Sequence, residues 1–156
     1  MKIDYRIGDM FKDGHKYLVH GCNAQGVMGS GVALLVKEDY PYAYLTYRDK
    51  FDRVGLELGE VVLAKHPDGL SAEHPTIFNC ITQNKYRKDK RRYVNYGAVQ
   101  KCMRYLNAFF LIGNSIERVA MPMNGAGLGG GDWSIISSII EEEAKNFQPV
   151  VYDLTP

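Results

Sequence analysis

Cysteine is scarce, with three residues at positions 22, 80 and 102 of a 156-residue chain. An odd, widely spaced set gives neither a disulfide framework nor the paired spacing of a zinc site, so the expectation is reduced thiols in a cytoplasmic protein. No His, Cys or carboxylate cluster has metal-ligand spacing, and no metal or cofactor is expected. No apolar run approaches the roughly 20 residues that cross a bilayer, which excludes a membrane-spanning helix. The opening Met1-Lys2-Ile3-Asp4-Tyr5-Arg6 alternates like a strand and lacks the apolar core of a secretion signal. Net charge is only +1, so no global field draws the chain to nucleic acid or membrane. Repeats, low-complexity tracts and linkers are absent, and the expectation is a single domain over 1–156. The first strand pattern lacks a following G-x-G-x-x-G, which argues against a dinucleotide dehydrogenase.

What the chain has in excess is glycine at two strand-to-helix junctions. Residues 121–133 read Met-Pro-Met-Asn-Gly-Ala-Gly-Leu-Gly-Gly-Gly-Asp-Trp, with five glycines in the seven positions 125–131. A strand pattern (Arg118–Met121) precedes this run and an Ile-rich helix pattern follows it. Residues 20–33, His-Gly-Cys-Asn-Ala-Gln-Gly-Val-Met-Gly-Ser-Gly-Val-Ala, again join a short apolar strand to a helix. Such loops can wrap backbone N–H groups around a phosphate, because no Cβ holds the backbone away. Two of them in one α/β chain can face each other across a crevice at the carboxyl ends of the strands. Charge is also concentrated in one place. Lys85-Tyr86-Arg87-Lys88-Asp89-Lys90-Arg91-Arg92 holds six basic residues in eight, either a solvated loop or a rim for a phosphorylated ligand or an RNA end.

Periodicity predicts strands at Lys2–Gly8 (with Ile3, Tyr5 and Ile7 on one face), Lys16–His20, Glu60–Lys65, Thr76–Thr82, Arg118–Met121 and Pro149–Leu154. Asp9–Asp13 reads as a turn or short helix. The third and fourth strands either pair as a hairpin or lie apart. Helices are predicted from Ser30 to about Lys50, broken at Tyr40-Pro41, over Tyr93–Leu111, and from Trp133 to about Phe147, capped by Asp132 or Gly131. The last helix turns Ile135, Ile136, Ile139 and Ile140 inward and leaves Glu141–Glu143 in solvent. Alternation of strands and helices implies a mainly parallel sheet covered on both faces.

Taken in order, Gly8-Asp9-Met10, His20-Gly21-Cys22-Asn23, Met28-Gly29-Ser30-Gly31-Val32-Ala33 and the Pro122–Trp133 loop resemble the macrodomains, which bind ADP-ribose. The resemblance covers nearly the whole chain. It is closest to the branch holding ADP-ribose 1″-phosphate phosphatases, together with relatives that remove ADP-ribose from carboxylate side chains. It implies a three-layer α/β/α fold with a mixed, mainly parallel sheet of about six strands.

The resemblance also implies roles. Asp9 accepts from the adenine amino group, although an Asp there also suits an N-cap. A carboxylate only accepts, so it would favour an amino-bearing purine. Asn23 orients the distal ribose and an attacking water, or else holds a turn. Cys22 is a packing residue or a nucleophile. Gly29, Ser30 and Gly31 bind the diphosphate and distal ribose through their N–H groups. Asn124, Gly125, Ala126, Gly127, Leu128, Gly129 and Gly130 hold the diphosphate through backbone donors. His20 handles the proton of the leaving ribose oxygen, or is structural. Asp132 activates water, or is an N-cap. Related enzymes that cleave protein-linked ADP-ribose use a lysine and an aspartate, and here Gln83 and Gly129 stand in those places. That departure favours hydrolysis of ADP-ribose 1″-phosphate, which the resemblance implies is a product of tRNA splicing and repair, or plain binding, over removal of ADP-ribose from macromolecules. A non-catalytic ADP-ribose reader is the other alternative.

Overall fold

The computed structural model describes residues 1–84, 94–123 and 131–153. In chain order they form β1 (Asp4–Ile7), a 3-10 turn (Met10–Lys12), β2 (Tyr17–Asn23), α1 (Gly31–Asp39), α2 (Pro41–Val54), β3 (Val61–Ala64), β4 (Thr76–Gln83), α3 (Tyr96–Phe109), β5 (Glu117–Pro122), α4 (Trp133–Glu143) and β6 (Phe147–Asp153). The six strands make one mixed sheet in the order β1-β6-β5-β2-β4-β3. All neighbours are parallel except β3, which runs antiparallel to β4 at the edge. The third and fourth strands are therefore the hairpin-like pair.

Side-chain alternation sorts the core into two halves. Val19, Phe78, Val119, Met121 and Val151 point to one face, where α3 and α4 cover them with Val99, Cys102, Leu106, Ile136 and Ile140. Leu18, Ile77, Ala120 and Val150 point to the other, against Val36 of α1 and Ala43 of α2. Cys22, Met28, Tyr47, Val62 and Ile81 extend this second half toward β3. The result is the expected three-layer arrangement. Among the described residues, no helix is long and apolar enough to cross a membrane.

Local chemistry sets the helix ends. Pro41 occupies the first turn of α2, where its missing N–H costs nothing. Asn95 caps α3 by accepting from Ala98 N at 2.9 Å. This places Val94 outside the helix, bridged to Gln83 instead. Asp132 caps α4.

Several features differ from what the sequence pattern alone suggests, for identifiable reasons. Tyr5 and Ile7 alternate with a strand's period, yet they are exposed, Ile7 by 80%. They lie on an edge strand, and periodicity cannot distinguish an edge from a covered strand. Ile135 is exposed because it sits on the outer side of the first turn of α4. Glu141 and Glu143 are not simply solvated. Glu141 accepts from Ile3 N at 2.8 Å, and Glu143 takes the Arg104 guanidinium at 3.1 Å. The last helix also stops at Glu143, so Phe147 opens β6 and lies fully buried.

Candidate functional site

The parallel strands end together along one edge of the sheet, at Ile7, Asp153, Pro122, Asn23 and Gln83. From there β2 departs through α1 on one face and β5 through α4 on the other. Neighbouring strands whose connections leave in opposite directions open a crevice between them, where open α/β sheets take ligands. The segment 23–31 leaves from that point, and Met123 follows the end of β5 there. Residues 124–130, the second glycine loop (Asn124, Gly125, Ala126, Gly127, Leu128, Gly129 and Gly130), lie outside the described residues, as does Lys85–Arg92.

The first loop is built by Asn23. Its Nδ2 donates to Val27 O at 2.8 Å. Its Oδ1 accepts from Gln25 N at 2.9 Å, from Val27 N at 3.4 Å and from the Tyr47 hydroxyl at 2.9 Å. That hydroxyl has one proton, which it shares with Asn23 O, the nearer acceptor at 2.5 Å. Two backbone donors and a share of the hydroxyl proton engage Oδ1, so this amide is used to shape the loop. Tyr47, on α2, is a site residue that sequence reading missed. Nothing in the helical pattern distinguishes it from an ordinary core tyrosine.

The loop then turns through Gly26, at φ +78°, where a Cβ would lie 2.7 Å from Phe51 Cδ1. Met28 tucks its side chain into the core, which leaves only its backbone to the crevice. Gly29 and Gly31 are exposed, and Ser30, Val32 and Ala33 are half-buried. Helix α1 starts with Gly31 at φ +60°, a left-handed conformation that suits glycine. Ser30 at its N-cap makes no side-chain capping bond. The N–H groups of this first turn have no side-chain cap, and the positive end of the helix faces the crevice. By contrast, the N-terminus of α4 is occupied by its own carboxylate. Asp132 accepts from Ser134 N at 2.9 Å and from Ser134 Oγ at 2.7 Å. These bonds hold the exposed Asp132 carboxyl below its ordinary range, which makes it a weaker base than a free aspartate.

His20 does not reach the crevice. Its side chain points with Leu18 and Cys22 toward the α2 face and is 1% exposed. Nε2 donates to Asn79 Oδ1 at 2.6 Å. The Asn79 amide nitrogen in turn donates to Ala43 O at 3.2 Å and Val62 O at 3.1 Å, which fixes its orientation. Burial pushes the imidazole down to about 4, with Asn79 opposing the shift, so the ring is neutral near pH 7. This geometry gives a structural bridge between β2, β4, α2 and β3, not a group at the ribose. A polar residue inside the apolar run Ile77-Phe78-Asn79-Cys80-Ile81 was the sequence signal for such a buried partner. Cys22 is enclosed beside His20, at 3.5 Å from Nε2, and burial raises its thiol. A thiol so placed is inert packing.

At the far end, Asp9 caps the 3-10 turn through Oδ1, which accepts from Phe11 N at 2.9 Å, and its side chain is exposed. Gly8 is exposed beside it, at φ +135°, whereas Met10 is buried and offers only backbone. Three strand spacings separate β1 from β2, about 14 Å. An extended dinucleotide covers that distance. Gln83 is the register partner of Asn23 across a bulge, and Ala24 N donates to Gln83 O at 2.9 Å. Residue 83 therefore stands beside Asn23 at the start of the first loop, whereas Gly21 pairs with Cys80 further back along β2. Trp133 donates from Nε1 to Tyr5 OH at 3.0 Å, an anchor for α4 on the edge strand.

The Macro domain family matches residues 19–140, and the chain belongs to that family. It is 29% identical to an uncharacterized 17.5 kDa protein of Enterobacteria phage T4, covering all of this chain and 99% of that one. It is 30% identical to a DNA ADP-ribosyl transferase–DNA ADP-ribosyl glycohydrolase fusion protein of Thermosipho africanus, over 85% of this chain but only 36% of the relative. Among solved structures, a Bacteroides thetaiotaomicron protein of unknown function superposes with a TM-score of 0.81 at 29% identity, covering 99% of both chains. The Thermosipho africanus protein in complex with ADP-ribose superposes at 0.77 and 22% identity over 98% of this chain and 42% of that one, a likeness of fold.

Proposed function

We propose that this macrodomain binds ADP-ribose along the sheet edge and hydrolyses ADP-ribose 1″-phosphate to ADP-ribose and inorganic phosphate. Asp9 takes the adenine amino group, the uncapped turn of α1 takes the pyrophosphate, and the Asn23–Gly31 loop takes the distal ribose. The observation that carries this reading is the chemistry of the two segments flanking the ribose end. From Gly21 to Val36, and from Pro75 to Asn84, the only ionisable side chains are Cys22 and Cys80, both buried.

A site without acids or bases there suits a substrate that needs little proton transfer. Water attacks the terminal phosphorus and its protons pass to the phosphate formed and to solvent; the bond between phosphorus and the C1″ oxygen breaks, and the electron pair leaves on that anomeric oxygen. That hemiacetal alkoxide is more stable than an ordinary alkoxide, and it takes a proton from solvent. Backbone N–H groups stabilise the charge on the equatorial oxygens. A base nitrogen leaving from C1″ would call for more help from a general acid. With lysine replaced by Gln83, and Asp132 turned to Ser134, no such help stands among the described residues of these loops.

A second reading, release of ADP-ribose from DNA, is favoured by the relative's named activity and by the basic run that follows Gln83. The test is incubation with ADP-ribose 1″-phosphate and, separately, with an ADP-ribosylated oligonucleotide. Phosphate release from the first supports the proposal. Free ADP-ribose from the second, with no phosphate from the first, replaces it. Binding without turnover of either leaves a reader.

A further inference from the structure

We infer that the β3–β4 connection, at the opposite end of the sheet from the ADP-ribose crevice, holds a divalent transition-metal ion on His66, Asp68 and His74. The spacing in sequence, two, six and eight residues, does not suggest a site. The fold creates it by bending 65–75 back between two antiparallel strands.

One ligand atom from each of the three side chains lies within 4.8 Å of the others. His66 Nδ1 is 3.8 Å from Asp68 Oδ2. The His66 and His74 rings stack at 3.6 Å between centroids and 7° between planes. Ligands about 2.0–2.2 Å from a tetrahedral zinc lie about 3.3–3.5 Å apart, so closure asks for side-chain shifts of about 1 Å. His66 Nδ1 already accepts from Asp68 N at 3.0 Å, so His66 binds through Nε2, the two stacked rings turn toward the ion, and Asp68, 74% exposed at its side chain, follows.

The backbone beneath is held in place. Gly69 N donates to His66 O at 3.0 Å, and Ser71 Oγ accepts from His74 N at 3.0 Å. Tyr42 packs edge-on against His66 and donates its hydroxyl to Pro75 O, which ties the loop to α2. Two imidazoles and one carboxylate select a borderline-soft ion such as Zn²⁺, Ni²⁺ or Co²⁺ over Mg²⁺ or Ca²⁺. Three protein ligands leave a position for water or for a donor from a partner. In this chain the ion would act as a clip, closing the loop between β3 and β4 and stabilising the folded state that presents the three ligands.

The site is independent of the proposed activity, and its test reads binding and stability. The full chain without an affinity tag is titrated with Zn²⁺ and Ni²⁺ by calorimetry, with Co²⁺ absorption reporting geometry. The expected result is one equivalent bound, and a melting temperature raised by about 8 °C at a hundredfold excess over Kd. His74→Ala should weaken binding by at least about 10-fold, and the exposed Asp68→Asn should weaken it several-fold while far-UV dichroism stays unchanged. Ca²⁺ and Mg²⁺ should give no heat. Absence of saturable binding at 100 µM ion, or binding that both variants leave intact, overturns the assignment.

Discussion

At the scale of single residues, the fold assigns polar side chains near the crevice to holding loops and layers, and their chemistry follows from that. His20 gives the sharpest consequence. Its folded pKa of about 4 lies below the ordinary 6.5, so the folded state favours the neutral ring. The stability tied to that neutrality is complete above pH 6.5 and is lost as the pH falls toward 4. At its limit the loss is about 3 kcal/mol. Half-buried His15, also lowered by desolvation, contributes in the same direction. Comparing thermal melts of the native chain and His20→Gln between pH 7 and 4.5 isolates the His20 part. The variant should lose stability with a shallower slope, and parallel curves would mean that His20 is not buried as a neutral group. Asp9 makes a second prediction. Its Oδ1 is held by Phe11 N, so selectivity for an adenine amino group rests on an acceptor-only carboxylate. Asp9→Asn keeps a capping oxygen and adds a donor. ADP-ribose should bind about 10-fold more weakly, with much less loss for the hypoxanthine analogue, measured by calorimetry with both ligands.

At the scale of elements, the first loop is a unit made by α2. Tyr47 fixes Asn23, Asn23 fixes Gln25 and Val27, and Phe51 backs Gly26. Gly26→Ala combines a left-handed φ of +78° with a Cβ 2.7 Å from an aromatic carbon. A cost of about 2 kcal/mol is expected, seen as a melting temperature lower by about 6 °C, together with weaker ADP-ribose binding. Tyr47→Phe removes the hydroxyl proton that Asn23 O and Oδ1 share, without adding bulk. It should weaken ADP-ribose binding more than it lowers stability, a split that calorimetry and denaturant melts resolve. How much of this could be read beforehand varies with the element. Strand and helix order, the first glycine turn and the capping aspartates were readable, because local spacing and backbone freedom determine them. The side a side chain takes was not. His20 and Asn23 are three residues apart on one strand, and which of them reaches ligand depends on where α2 packs. The metal cluster was invisible for the same reason, since a hairpin connection brings together residues that no helical or strand period relates.

At the scale of the whole molecule, near-neutral charge and a backbone-lined crevice make a joint prediction about salt. The chain carries 19 basic and 18 acidic residues, and six of the basic ones fall within Lys85–Arg92. If ADP-ribose is held by N–H groups and the α1 terminus, few counterions are released when it binds. Those interactions act at short range in a partly desolvated cleft, where screening is weak. The affinity should therefore change by less than about threefold between 50 and 300 mM NaCl. A DNA-linked substrate that used the basic run would behave differently. Neutralising even four phosphates would lower its affinity by more than two orders of magnitude over the same range, about [salt] to the power −3.6. Calorimetry with ADP-ribose and anisotropy with an ADP-ribosylated oligonucleotide, each run across the salt series, separate the two. A flat small-molecule response beside a steep oligonucleotide response that Lys88→Glu and Arg91→Glu together flatten would show the basic run acting as a nucleic-acid rim. If both responses are flat, the run takes no part in recognition, and the ligand ends at the ribose and its phosphate.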